Sequence, residues 1–262
     1  MSNFFPAALT IAGSDPSGGA GIQVDLKTFG ATQVWGMAVI TALTAQNASR
    51  VSGVWAMDPL VVGEQIQTLL EDVSPGAVKT GMLATAGIIQ AVVATLPAEI
   101  PLIVDPVMIS TSGHRLLDAS AINAVREILV PRAALVTPNI PEAEVLAGME
   151  IRDEVGMEEA GHRILDLGAM AVMVKGGHGS GVDSVDLLIT RGGIIRLGSV
   201  RFPYQVHGSG CCFSAAVTGY LASGYPIEEA CRRAKNLVSE AIKHAVSGCS
   251  GTRMVNPGSI GI

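Results

Sequence analysis

The stretch ALTIAGSDPSGGAGIQVDLKTF, residues 8–29, runs from an apolar segment through a glycine-crowded turn into an amphipathic one. That order of buried strand, turn and helix repeats along most of the chain. Apolar runs at 8–12, 37–43, 77–80, 101–105, 133–137 and 171–175 predict buried parallel strands. Amphipathic segments at 20–33, 58–72, 85–96, 118–129, 141–148 and 154–167 predict the helices between them, with Asp58-Pro59 and Asp118 as start signals. From 184 to 206 the pattern changes: two runs flank Arg191-Gly192-Gly193 as in a β-hairpin, and helices are expected at 210–223 and 226–246. The expectation is one α/β domain over residues 1–262, three layers deep, with a mainly parallel sheet and an antiparallel edge. Sites in such folds lie at the carboxyl ends of the strands.

Composition narrows the class. The chain has 262 residues, 48% hydrophobic and 15% charged, enough for a large core. A formal charge of −6 without any basic run argues against nonspecific nucleic-acid binding. Neither a secretory signal pattern nor an uninterrupted membrane-length apolar run is present, so no membrane partner is expected. Four cysteines form no CxxC pair and no disulfide framework, which suggests free thiols in a reducing cytoplasm.

The glycine turn of residues 12–21 invites a phosphate-loop reading, and fails it twice. Gly13 to Gly18 match the first six positions of a Walker A loop, but Gly19-Ala20 stand where lysine and a hydroxyl residue are needed. Gly19-Ala20-Gly21-Ile22-Gln23-Val24 is half a dinucleotide fingerprint whose third glycine is Val24, and no acid follows about 20 residues on. A strand-to-helix turn with no ligand remains open on these residues alone.

VHGSGCCFSAAVTGYLA, residues 206–222, is the better anion site. Gly208, Ser209 and Gly210 precede a helix of small residues, and bare N–H groups at a helix amino terminus attract anions. Cys211 falls in the first turn, where the helix dipole is expected to lower its thiol pKa and ready it to accept a proton. A plain Gly-Ser cap with Cys211 as a small buried hydrophobe is the competing reading. Asp105 ends the run PLIVD, where a carboxylate could hold magnesium or its bound water; a turn cap before Pro106 is the alternative. Asn139 and Glu142 have capping-box spacing, although beside Asp105 Glu142 could also help bind metal. Lys175 ends another strand before paired glycines, where it could neutralise phosphate or simply face solvent. His178 and His207 flank glycine loops without ligand spacing, so no transition-metal site is assigned.

Seven blocks in order carry a resemblance: LTIAGSDPSGGAGIQVDLKTF, GMAVITALTAQN, VKTGM, DPVMISTSG, TPNIPEAEVL, VKGGH and HGSGCCFSAA. Across about residues 7–246 the chain resembles the bacterial hydroxymethylpyrimidine/phosphomethylpyrimidine kinases of thiamine biosynthesis, within the ribokinase-like superfamily. The resemblance implies a three-layer α/β/α fold, a homodimer, and dependence on ATP and magnesium. It implies phosphorylation of 4-amino-5-hydroxymethyl-2-methylpyrimidine and then of its monophosphate. By that resemblance Cys211 is the base, where sugar kinases use Asp, and Gly208, Ser209, Gly210 and Cys211 form the anion hole. Gln46 matches the residue that hydrogen-bonds the pyrimidine; Gly13, Asp25 and Met82 match other substrate positions. Asp105, Asn139 and Glu142 match metal- and phosphate-side positions, with Lys175 near the nucleotide. Taken as bare residues, Gln46 is a polar loop residue after a strand, Asp25 a solvent-facing helix residue, and Met82 core. Two departures stand out: Ser209 where threonine is common, and Cys212 in place of threonine beside the base.

Pyridoxal kinase is the nearest alternative, since some relatives phosphorylate that similar ring. The pyridoxal-active subgroup carries a lid cysteine; here the lid reads DPVMISTSGHRLL, with Ser110 and Thr111. A sugar kinase is disfavoured by Cys211, and a non-catalytic pyrimidine-binding regulator by retention of Cys211 with Asp105 and the glycine cluster.

Overall fold

A computed structural model describes residues 5–108, 119–177 and 183–260. The expected lid residues Ser110 and Thr111, the helix signal Asp118 and His178 lie outside them. In chain order the elements are β1 (Ala7–Ser14), α1 (Gly21–Ala31), β2 (Trp35–Asn47), β3 (Arg50–Ala56), α2 (Pro59–Leu70), β4 (Ala77–Thr80) and α3 (Ala86–Thr95). Then come β5 (Leu102–Val104), α4 (Ala119–Ala124), β6 (Leu135–Val136), α5 (Ile140–Ala147), α6 (Glu154–Asp166), β7 (Ala171–Lys175), β8 (Asp183–Thr190) and β9 (Gly193–Val200). The chain closes with β10 (Val206–His207), α7 (Ser209–Ala222), α8 (Ile227–Lys243), β11 (Val246–Ser247) and β12 (Arg253–Met254).

Among the described residues β1 to β9 form one sheet in the order β3-β2-β1-β4-β5-β6-β7-β8-β9. The six runs expected to be parallel strands are parallel, and the hairpin turns at Arg191-Gly192 between Thr190 and Gly193. Strand alternation sends Leu9, Ile11, Val78, Val104 and Val136 into the core shared with α2 to α6. Their neighbours Ala77, Ile103 and Leu135 join the core under α7 and α8. Each such leucine or isoleucine, removed from water, contributes about 1.5–3 kcal/mol before the entropy cost of ordering. Helix starts follow the local chemistry: Asp58 accepts from the Leu60 N–H ahead of Pro59, and Asp153 from the Gly156 N–H.

The strand order reverses at β1: β2 lies on one side and β4 on the other. That switch point opens a crevice at the strand carboxyl ends.

Two elements depart from the sequence reading. β2 continues to Asn47 and turns back into β3, which the reading left out. Its stretch RVSGVWA packs under no helix and stays largely exposed, so no buried apolar run marks it. A small sheet, β10-β12-β11, also forms near the carboxyl terminus, from strands of two residues each that are too short to carry a period.

Candidate active site

The crevice is a cavity of about 930 Å³ at the switch point. The ends of β1, β4, β5 and β7 bring Gly13, Met82, Asp105 and Lys175 to it; β2 adds Gln46, and the start of α5 adds Asn139 and Glu142. Gly208, Ser209, Gly210 and Cys211 line it from the amino terminus of α7. Residues far apart in the chain therefore share one wall, as the sequence reading expects of them.

Asp25 is the exception. It is fully buried behind that wall and does not line the cavity. Both its carboxylate oxygens sit 2.7 Å from Lys79 Nζ, and Thr10 Oγ1 donates to one of them at 2.6 Å. Burial opposes a charge on Lys79, yet the Asp25 carboxylate overrides it and holds the ammonium above its ordinary pKa. The residue of this pair that reaches the cavity is Lys79.

Backbone approach is close around the acceptor end. A Cβ on Gly13 would lie 2.8 Å from Met82 Cε, so the Met82 side chain covers bare backbone there. Thr41 Oγ1 holds the Met82 carbonyl at 2.6 Å, and Thr44 Oγ1 donates to the Ser14 carbonyl at 2.9 Å. The register of β2 against β3 slips between Ala45 and Gln46, leaving Ser52 of β3 over, just where Gln46 reaches the cavity.

At the anion end α7 begins at Gly208 with φ 84°, and no side chain caps it. A Cβ there would collide with the Gly19 carbonyl, so the opening glycine turn packs directly onto the helix start. Asp105 ties this end to the sheet: Oδ2 accepts from Ser214 Oγ of α7 at 3.0 Å, and Oδ1 lies 3.2 Å from Lys175 Nζ. Burial disfavours charge on Lys175, but Asp105 and then Glu142 outweigh it and raise its pKa. The capping box forms as expected, with Asn139 Oδ1 taking the Glu142 N–H and Glu142 Oε2 the Asn139 N–H, each at 2.9 Å. Burial pushes Glu142 up to about 7, with Lys175 pulling it down and Asp105 pushing it further up.

The Cys211 thiol corrects one expectation. Instead of being lowered, it is pushed up to about 11 by burial, with Asp105 and Asp25 adding to the rise; Lys79 and the Gly21 N–H oppose it. Cys212 points away into the core, takes a hydrogen bond from Thr28 Oγ1 at 3.5 Å, and is pushed by burial to about 12.

Further polar groups of the cavity wall escape the sequence reading, among them Lys79, Lys235, Asp186, Asp15 and His207. Lys79 has a legible signal, a charge inside the buried strand β4; Lys235 has one too, on the apolar stripe of α8. Lys235 Nζ sits 2.6 Å from Asp186 Oδ2, and both line the far end of the cavity. Asp15 and His207 meet across the chain at 3.1 Å, a pairing no local pattern announces.

The donor set suits magnesium-bound phosphates. Asp105 and Glu142 are hard oxygen ligands, and the α7 start is bare backbone. Among the described residues no group of three or more His, Cys, Asp or Glu side chains is arranged to hold a metal by itself. Nor is any described helix long and apolar enough to cross a membrane.

Comparison with known proteins agrees with this geometry. Residues 15–256 match the family model described as phosphomethylpyrimidine kinase. The chain is 46% identical over 242 residues to the thiamine biosynthesis bifunctional protein ThiED of Geobacter sulfurreducens, covering 91% of this chain and about half, 49%, of that longer protein. It is 44% identical to the hydroxymethylpyrimidine/phosphomethylpyrimidine kinase of Synechococcus elongatus, over 92% of this chain and 93% of that one. A pyridoxal kinase from Staphylococcus aureus, solved with AMP-PCP and pyridoxal, superposes with a TM-score of 0.89 at 35% identity, over 99% of this chain and 96% of that one. The fold is the ribokinase-like one, and the chain belongs to the phosphomethylpyrimidine kinase family.

Proposed function

We propose that the chain transfers the γ-phosphoryl group of ATP to 4-amino-5-hydroxymethyl-2-methylpyrimidine and then phosphorylates the monophosphate, serving thiamine biosynthesis. One observation carries this reading: an amide that suits an aminopyrimidine, Gln46, faces the same cavity as Cys211 and the bare start of α7. Gln46 meets a ring nitrogen and the exocyclic amine with its two amide groups, while Gly13 and Met82 bound the ring. The hydroxymethyl oxygen attacks the γ-phosphorus as the bond to ADP breaks, and its proton passes to Cys211 Sγ in the thiolate form. The N–H groups of Gly208, Ser209, Gly210 and Cys211 receive the charge on the transferring group, and Lys79 and Lys175 add fixed positive charge. When bound, magnesium supplies neutralisation of the phosphate oxygens; Asp105 and Glu142 would hold it through water, with Asn139 shaping the α5 start that presents Glu142. ATP use is supported by the pyridoxal kinase solved with an ATP analogue.

The reading extends to a cytoplasmic homodimer joined at the β2–β3 face, where Trp35, Leu43 and Trp55 stand exposed. Release of ADP, measured with the pyrimidine alcohol, its monophosphate, pyridoxal and ribose as separate acceptors, is the direct test. Turnover of both pyrimidines above the other two is expected. No turnover with either pyrimidine sinks the reading, and a preference for pyridoxal replaces it with the pyridoxal kinase alternative.

A further inference from the structure

His207 is a buried polar group that the chemistry above does not use. Its Nε2 lies 3.1 Å from Asp15 Oδ2 and 3.4 Å from Gln46 Nε2, so one ring nitrogen faces two partners that ask opposite things of it. The carboxylate only accepts, so it needs a hydrogen on Nε2; an amide N–H needs a bare Nε2. Asp15 is the stronger claimant. It is buried at the turn, and the Ser17 N–H, the Ser17 hydroxyl and the Ala20 N–H each reach it at 2.9 Å, which holds its position. Burial opposes its charge, but the bonds from His207 and Ser17 outweigh that and keep the carboxyl below its usual range. A bare Nε2 would set a lone pair against this carboxylate. The hydrogen therefore sits on Nε2, whether the ring is neutral or charged, and Gln46 finds a donor on that side. Two donors repel, so the amide settles with its oxygen toward His207 and its N–H groups turned away from the ring.

We propose that Asp15 and His207 act as positioning residues that lock the amide of Gln46 in one orientation, and that this lock discriminates between acceptor rings. The proposal rests on Gln46 meeting the acceptor ring, as in the function above. Beside the hydroxymethyl carbon the pyrimidine carries an amine, which donates, whereas pyridoxal carries an aldehyde oxygen, which only accepts. An amide held one way satisfies one of these; an amide free to turn satisfies either.

The test has two parts. In uniformly 15N-labelled wild-type protein, long-range proton–nitrogen spectra of the imidazoles, assigned with His207→Gln, are expected to show a hydrogen on His207 Nε2. A bare Nε2 overturns the proposal. In kinetics, His207→Leu is expected to change the ratio of kcat/KM for the pyrimidine over pyridoxal by about five- to ten-fold, mostly through KM. His207→Gln, which keeps an N–H for Asp15, is expected to restore most of that ratio. In a Gln46→Ala background His207→Leu should move the ratio by less than about two-fold, because the two residues act as a unit. An unchanged ratio in folded His207→Leu, or effects that simply multiply with Gln46→Ala, also overturns it. Should His207→Leu fail to fold, Asp15→Asn releases the same lock and carries the same expectation. Absence of pyrimidine turnover in the wild type would overturn the kinase reading, while the spectra would still report where the proton sits.

Discussion

At Cys211 burial holds the proposed base as a thiol, its pKa pushed up to about 11. Below that value the thiolate fraction grows about tenfold with each pH unit, so a step that needs the thiolate should quicken as pH rises through neutrality. Cys211→Ala is expected to lower kcat by about 10²–10⁴ while moving KM for the pyrimidine little, and to flatten the pH profile of kcat. Near-normal kcat in that variant would remove Cys211 from the role. Residue by residue, part of the site was legible, because strand-end positions in an α/β fold converge on one crevice: Asp105 and Lys175 read that way and line it, while Gly13 and Met82, which line it too, were named by the family resemblance alone. What the pattern cannot supply is the partner. Asp25 reads as a helix residue facing water, but the helix turns it inward onto Lys79, and a buried ion pair leaves no period in the sequence. The raised Cys211 thiol is hidden for the same reason, since its causes are neighbours in space rather than in order.

Among the elements, α7 has a start that no side chain caps and a left-handed glycine that the opening turn packs against. Gly208→Ala places a Cβ against the Gly19 carbonyl and forces alanine to φ 84°. With about 1–2 kcal/mol for the left-handed backbone alone, the thermal midpoint should fall by roughly 3–8 °C. Activity should drop by at least about tenfold as the N–H groups shift from their targets. A variant with wild-type melting and full activity would show that the turn yields without cost. Long amphipathic and buried elements were readable because burial writes a period into them. β3 was not, since an edge strand with an open face carries no continuous apolar run, and the two-residue strands of the small sheet are too short for any period.

For the molecule as a whole, the layered class with a mainly parallel sheet was legible from the alternation of buried strands and helices, and the antiparallel edge at β8–β9 from its turn, whereas the order of the strands was not. The opposite edge, β3, is the more exposed one. Leu43 of β2 and Trp55 of β3 are directly paired and are 49% and 60% exposed. A face of this kind in a homodimer should be weakened by a buried charge, so Trp55→Glu is expected to shift sedimentation toward half the wild-type mass at micromolar concentration. A wild-type protein that already sediments as a monomer would refute the dimer. The same scale gives the Asp15–His207 contact a further meaning. It joins positions 192 apart, one beside the first strand and one near the last helices. Loop closure over such a span comes late, after local helices and neighbouring strands have formed. A growing chain therefore carries most of its sheet before it carries any pocket, and recovered catalysis reports the final closure of the chain upon its own beginning.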